Sequence, residues 1–137
     1  MSIDIPGLQP ALLQQLQGKL KLPAYDPATT GIGIVHIGPG AFFRAHQAWY
    51  TDLALKYGGD WGISVVSMRS SDLAKALTPQ QGLYSLVLLD KKTEYQVVGS
   101  IRELLVAAEQ YEQVLQFRSQ SKALRQGTLT DYSSTNV

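Results

Sequence analysis

The chain contains no cysteine in 137 residues. That excludes disulfides, thiolate nucleophiles and cysteine-held metals, and it agrees with a reducing compartment. Histidine is nearly as scarce: His36 and His46 stand alone, and neither has acidic neighbours at ligand spacing, so no metal site is expected. A charge bias is missing too. With 12 basic and 11 acidic residues, nothing in the charge balance favours nucleic acid or an anionic membrane as a partner. No apolar run is long enough to span a bilayer. The opening Met1-Ser2-Ile3-Asp4-Ile5-Pro6 lacks the basic start and apolar stretch of a signal peptide. These absences make a soluble, cytoplasmic protein the expectation. An apolar content of 45% with 17% charged residues is enough for a buried core without staples.

What is present reads as alternating strands and helices. Pro10 opens a short helix over 10–16 that Gly18 ends. Leu22 to Pro27 is an extended connector, because its two prolines disfavour helix. Gly33-Ile34-Val35-His36-Ile37 is a short β-branched run bounded by glycines, the pattern of a strand. After Gly38-Pro39-Gly40 comes helical spacing, with Phe42, Ala45, Trp49 and Leu53 on one stripe and Arg44, Gln47 and Asp52 off it. Gly58-Gly59 stops this helix. Ile63 to Met68 is a second strand, and the whole makes a βαβ unit of about 35 residues, the building block of a parallel sheet. A short helix over 71–77, capped by Ser70 or Ser71, follows. The apolar runs 83–89 and 95–98 flank Asp90-Lys91-Lys92-Thr93-Glu94 as a β-hairpin. Ile101 to Val106 continues as a strand and Ala107 to Phe117 as a helix. Arg118 to Val137 is polar and divergent, with Thr128-Leu129-Thr130 a poor strand, and is expected to be frayed or disordered.

A glycine turn between a first strand and a helix is where such folds hold a pyrophosphate. Gly38 permits the turn, Gly40 lets the backbone approach the phosphates, and the helix start offers free N–H groups. The third small residue of the fingerprint is replaced by Phe43. The acid expected at the end of the second strand is also absent, since that strand runs Ser67-Met68-Arg69-Ser70-Ser71 before Asp72. Arg69 and Ser70 are suited to a 2′-phosphate; alternatively Asp72 is an ordinary first-turn helix residue and cofactor preference stays open. Phe42 is either a cofactor contact or packing beneath the first helical turn. Arg44 is a candidate cation near the phosphates. His46 suits ordering of the turn rather than proton transfer, and His36 suits a satisfied core position. Lys91 and Lys92 read as a solvated turn, Trp49, Tyr50 and Tyr57 as core and rim aromatics.

The stretch Gly33 to Ala48, with Gly40-Ala41-Phe42, Arg44 and His46 in order, resembles the N-terminal domain of the mannitol dehydrogenase family. Further matches are Leu22-Pro23-Ala24-Tyr25-Asp26, Trp61-Gly62-Ile63, Met68-Arg69-Ser70, Gln81-Gly82-Leu83-Tyr84-Ser85-Leu86-Val87 and Gly99-Ser100-Ile101-Arg102-Glu103. The resemblance implies an α/β fold: a Rossmann-type parallel sheet with an inserted β-hairpin, incomplete, the C-terminal helical domain being missing. It implies NAD or NADP as cofactor, with Gly38, Gly40, Ala41, Phe42, Arg44 and Arg69 as binding residues. It also implies metal-free hydride transfer between a sugar alcohol and its ketose, or hexuronate reduction, with a proton-transferring lysine on the absent domain. No catalytic residue is therefore expected in this chain. Its divisions are 1–30, a helix and connector; 31–117, the nucleotide-binding part; and 118–137, the tail. The alternative is a non-catalytic truncated product or an interaction module, associating through an exposed sheet edge.

Overall fold

The β-branched run after Gly31 forms strand β1 (Ile32–Ile37), which pairs in parallel with β2 (Gly62–Ser67). This computed structural model describes residues 7–120. β2 pairs in turn with β5 (Ile101–Val106), also in parallel, giving the order β1-β2-β5. The central strand is buried from Gly62 through Val66, as a strand covered on both faces must be. The Rossmann-type parallel arrangement expected from the sequence is thus present. Among the described residues no strand pairs with the outer edge of β1, and Ile32 and Ile37 there are exposed.

The segment joining β1 to β2 is two helices, not one. α1 (Ala41–Ala45) stops at His46, whose φ of −123° and ψ of −86° leave the helical region, and α2 (Gln47–Leu55) starts immediately after. The break changes the helical phase and keeps only part of the expected stripe, with Trp49 packed against the core. Phe43, Ala48, Asp52 and Leu55 are buried, whereas Phe42 and Leu53 are exposed. Apolar spacing along one uninterrupted helix does not register a phase change at a residue such as His46, where the chain leaves the helix for a single step.

Asp52 is buried because distant backbone needs its carboxylate. It accepts a hydrogen bond from the Tyr25 hydroxyl at 2.5 Å and from the Gly99 amide at 2.7 Å. Burial pushes the carboxyl above its usual range, against the opposing pull of those two donors. Burial, with Asp52 alongside, likewise raises Tyr25 far above an ordinary tyrosine. Ser100 Oγ donates to the Ala48 carbonyl and Trp49 Nε1 to Gln96 Oε1. Together these bonds fasten the 22–27 connector and the corner at Gly99-Ser100 to α2.

α3 (Asp72–Leu77) starts where Ser70, the first of the two candidate caps, accepts the Asp72 amide at 3.1 Å. Next come β3 (Tyr84–Leu88) and β4 (Glu94–Val98), an antiparallel pair in register from Tyr84↔Val98 to Leu88↔Glu94. This is the inserted hairpin. The connector adds to its edge: the Lys21 amide donates to the Tyr95 carbonyl and the Val97 amide to the Lys21 carbonyl. Ile63, Val65, Ile101, Val98, Leu77, Tyr84, Phe43 and Ala48 form the core where sheet, helices and hairpin meet. Full burial contributes roughly 1.5–3 kcal/mol for each large apolar side chain. Pro10–Leu16 and Pro27–Thr29 are short 3-10 turns. α4 (Tyr111–Gln120) closes the described part; the tail from 121 on, with Thr128-Leu129-Thr130, lies outside the described residues.

Candidate functional site

Both β1 and β2 end at the same side of the sheet, and an open cleft of about 550 Å³ lies beyond their C-terminal ends. Gly38, Pro39 and Gly40 form one wall. The segment Ser67-Met68-Arg69-Ser70, with Asp72 and Leu73 of α3, forms the other. Carboxyl ends of parallel strands are where open α/β sheets bind ligands, because the helices that follow aim their amides there.

The first wall is shaped by two glycines. Gly38 sits at φ +94°, in the left-handed region that favours glycine, and its amide extends the ladder by donating to the Val66 carbonyl at 2.9 Å. Gly40 has an ordinary backbone, yet a Cβ placed on it would meet no protein atom within 4 Å. The space over the turn is therefore open to a ligand. Gly40 is also the N-cap of α1, and no side chain caps that end. The first-turn amides have no intrahelical acceptors, and they suit the oxygens of a phosphate.

Two histidines brace the turn from behind. The His36 ring stacks on Phe43 at 3.7 Å and 9°, and its Nε2 lies 3.1 Å from the Gly38 carbonyl. A carbonyl only accepts, so Nε2 carries the proton. Burial lowers the pKa of His36, with the Gly38 bond opposing. This residue is half-buried and bonded to the turn, not enclosed in the core as the sequence led one to expect. The His46 ring stacks on Phe42 at 4.0 Å and its Nδ1 donates to the Phe42 carbonyl at 2.8 Å. That matches the ordering role expected of it. Phe42 is 76% exposed while Phe43 is buried, so packing beneath the helix falls to Phe43 and leaves Phe42 facing solvent beside the turn.

Of the six expected binding residues, the fold brings Gly38, Gly40 and Arg69 to the cleft walls. Ala41 and Phe42 follow directly as the first residues of α1. Arg44 is not on the walls. Its carbonyl accepts the Tyr84 hydroxyl at 2.6 Å, and its Nε is buried without a partner. Pro39 and Met68, which lie inside quoted motifs, line the cleft without having been named as binding residues, and Ser67 and Leu73 line it as well. A usable signal was their position immediately after a strand's C-terminal end. No group of His, Asp or Glu among the described residues is placed to hold a metal, and no described helix is long and apolar enough to cross a membrane.

A parallel βαβ unit with a glycine turn at a cleft defines a Rossmann-type dinucleotide-binding domain. Comparison with known proteins agrees: residues 32–130 match the model of the mannitol dehydrogenase Rossmann domain. The chain belongs to the mannitol dehydrogenase family. It is 37% identical over 109 residues to the polyol:NADP oxidoreductase of Gluconobacter oxydans, covering 75% of this chain and 22% of that protein. A mannitol 2-dehydrogenase of Phaeosphaeria nodorum is 36% identical over 108 residues, 75% of this chain and 19% of the relative. Among solved structures, the Pseudomonas fluorescens mannitol 2-dehydrogenase ternary complex with NAD and D-mannitol superposes with a TM-score of 0.72. The two are 40% identical, across 80% of this chain and 23% of that one. The chain thus spans about a fifth of the length of the relatives it matches.

Proposed function

We propose that the cleft beyond β1 and β2 binds a nicotinamide dinucleotide, NAD or NADP. In the full-length protein the reaction it serves is hydride transfer between a sugar alcohol and its ketose, or hexuronate reduction. The observation that carries this reading is the Gly38–Gly40 turn, with its open space and its uncapped helical amides. The relatives support it through what they act on: one is a polyol:NADP oxidoreductase, and another was solved with NAD and D-mannitol. When bound, the dinucleotide supplies the hydride acceptor or donor. This chain's own residues bind and orient it. Gly38 and Gly40 would admit the pyrophosphate, the free amides at the start of α1 would hold it, and Arg69, just beyond β2, would hold the adenosine side. His36 and His46 hold the turn in shape.

No described lysine lines the cleft, so we expect nucleotide affinity without polyol oxidation from the 137-residue chain. Isothermal titration with NAD(H) and NADP(H), paired with a mannitol oxidation assay, tests this. Saturable one-to-one binding with no turnover is the expected result. A cooperatively folded chain that binds neither nucleotide overturns it. A second reading, association through the sheet edge, draws on the unpaired edge of β1 with exposed Ile32 and Ile37. Sedimentation equilibrium separates the two, since that reading requires self-association whether or not nucleotide is present.

A further inference from the structure

We infer that this cleft selects the 2′-phosphorylated dinucleotide, NADP(H), and that Arg69 is the residue that reads the phosphate. The inference rests on the dinucleotide reading above. In this class of fold, preference is set just after the second strand. There a carboxylate bonding both ribose hydroxyls selects NAD, and an arginine accommodates a 2′-phosphate. β2 ends at Ser67, and the three residues after it are Met68, Arg69 and Ser70, with no acid among them.

The loop is folded to present Arg69. Ser67 Oγ donates to the Ser70 carbonyl at 2.5 Å, closing a tight turn with Arg69 inside its span. Arg69 is exposed, lines the cleft, and makes no hydrogen bond or ion pair among the described residues. Its guanidinium is thus free to take a phosphate in bidentate fashion. Ser70 Oγ accepts from the Asp72 amide at 3.1 Å, which leaves its own proton available to a phosphate oxygen.

Asp72 is the carboxylate that would argue the other way. It lies five residues beyond the end of β2, on the first turn of α3, where an acid complements the positive end of the helix. Its amide is already tied to Ser70. That position serves the helix, and on the cleft wall it shares with Arg69 it follows the arginine by three residues instead of closing the strand.

NADPH and NADH differ only in the 2′-phosphate, so the ratio of their dissociation constants isolates it. Fluorescence titration of the 137-residue chain should show NADPH bound about tenfold more tightly or better, the scale of one charge-assisted contact. The preference should shrink as salt is raised. In Arg69→Ala the ratio should fall to near one, and in Arg69→Lys it should return in part, because a point charge replaces the fork. Circular dichroism melts of the variants check that the exposed substitution leaves the fold intact. NADH bound as tightly as NADPH by the unaltered chain overturns the inference while leaving the dinucleotide site standing. So does a ratio that survives Arg69→Ala. Binding of neither nucleotide removes the site reading itself, and this inference with it.

Discussion

Asp52 and Arg69 stand at the two polar centres of the chain, and the fold treats them in opposite ways. Asp52 is buried, and the donors that reach it, the Tyr25 hydroxyl and the Gly99 amide among them, come from segments far away in sequence. Arg69 is exposed on a loop and has no partner among the described residues. The first centre is filled by the protein and holds three segments together. The second keeps open space above a glycine turn. Polar groups satisfied internally serve stability, whereas polar groups left open at a strand's carboxyl end are free to meet a ligand. The difference gives each centre its own signature under mutation.

The largest expected effect is at the filled centre. Asp52→Ala leaves the Tyr25 hydroxyl and the Gly99 amide without their acceptor, at a cost of about 2–4 kcal/mol. Urea unfolding should register this as a lower midpoint. A midpoint within error of the unaltered chain would show that Asp52 fastens nothing. The open centre should respond in the reverse manner. Gly40→Ala has allowed backbone geometry and no protein neighbour, so stability should stay within about 1 kcal/mol. Nucleotide affinity, however, should fall on the order of tenfold, because the methyl occupies the approach to the pyrophosphate. Equal affinity in a folded Gly40→Ala would blur the distinction between the centres.

The smallest effect concerns His36, which links the turn to the core through Phe43 and Gly38. Burial depresses its folded pKa below the ordinary 6.5. Above 6.5 the ring is neutral folded or unfolded. As pH falls below that value, the unfolded chain takes up a proton the folded chain resists, and stability drops toward the depressed folded pKa. Asp52, raised by burial, works the other way: its contribution is present at low pH and lost as pH rises through its folded pKa. The comparison is therefore best made between the unaltered chain and His36→Gln. Midpoints measured from about pH 7.5 to about pH 5.5 should fall more steeply for the unaltered chain. Parallel profiles would remove His36 from the account.

Much of this was readable in the residues. The β-branched runs bounded by glycines became β1 and β2, the apolar runs about Asp90–Thr93 became the hairpin, and Gly38 and Gly40 came to rest on a cleft wall. The misread stripe on α1 and α2 has a physical cause. Periodicity assumes one continuous helix, and the step out of the helix at His46 resets the phase. The burial of Asp52 was equally hidden, since Tyr25 and Gly99 lie 27 and 47 residues away, beyond any local pattern. Arg44 shows a related limit. Read as a cation near the phosphates at the helix start, it is absent from the cleft walls, with its Nε buried and its charge felt by Tyr84.

The central claim is that the open centre, and not the filled one, meets the nucleotide. Backbone amide shift mapping of the 137-residue chain during titration with NADPH tests it most directly. The largest perturbations are expected at Gly38, Gly40, Ala41 and the Met68–Ser70 loop, with Gly99 and Ser100 nearly unmoved. Perturbations centred on Gly99 and the β3–β4 hairpin, or none at saturating nucleotide, would contradict it.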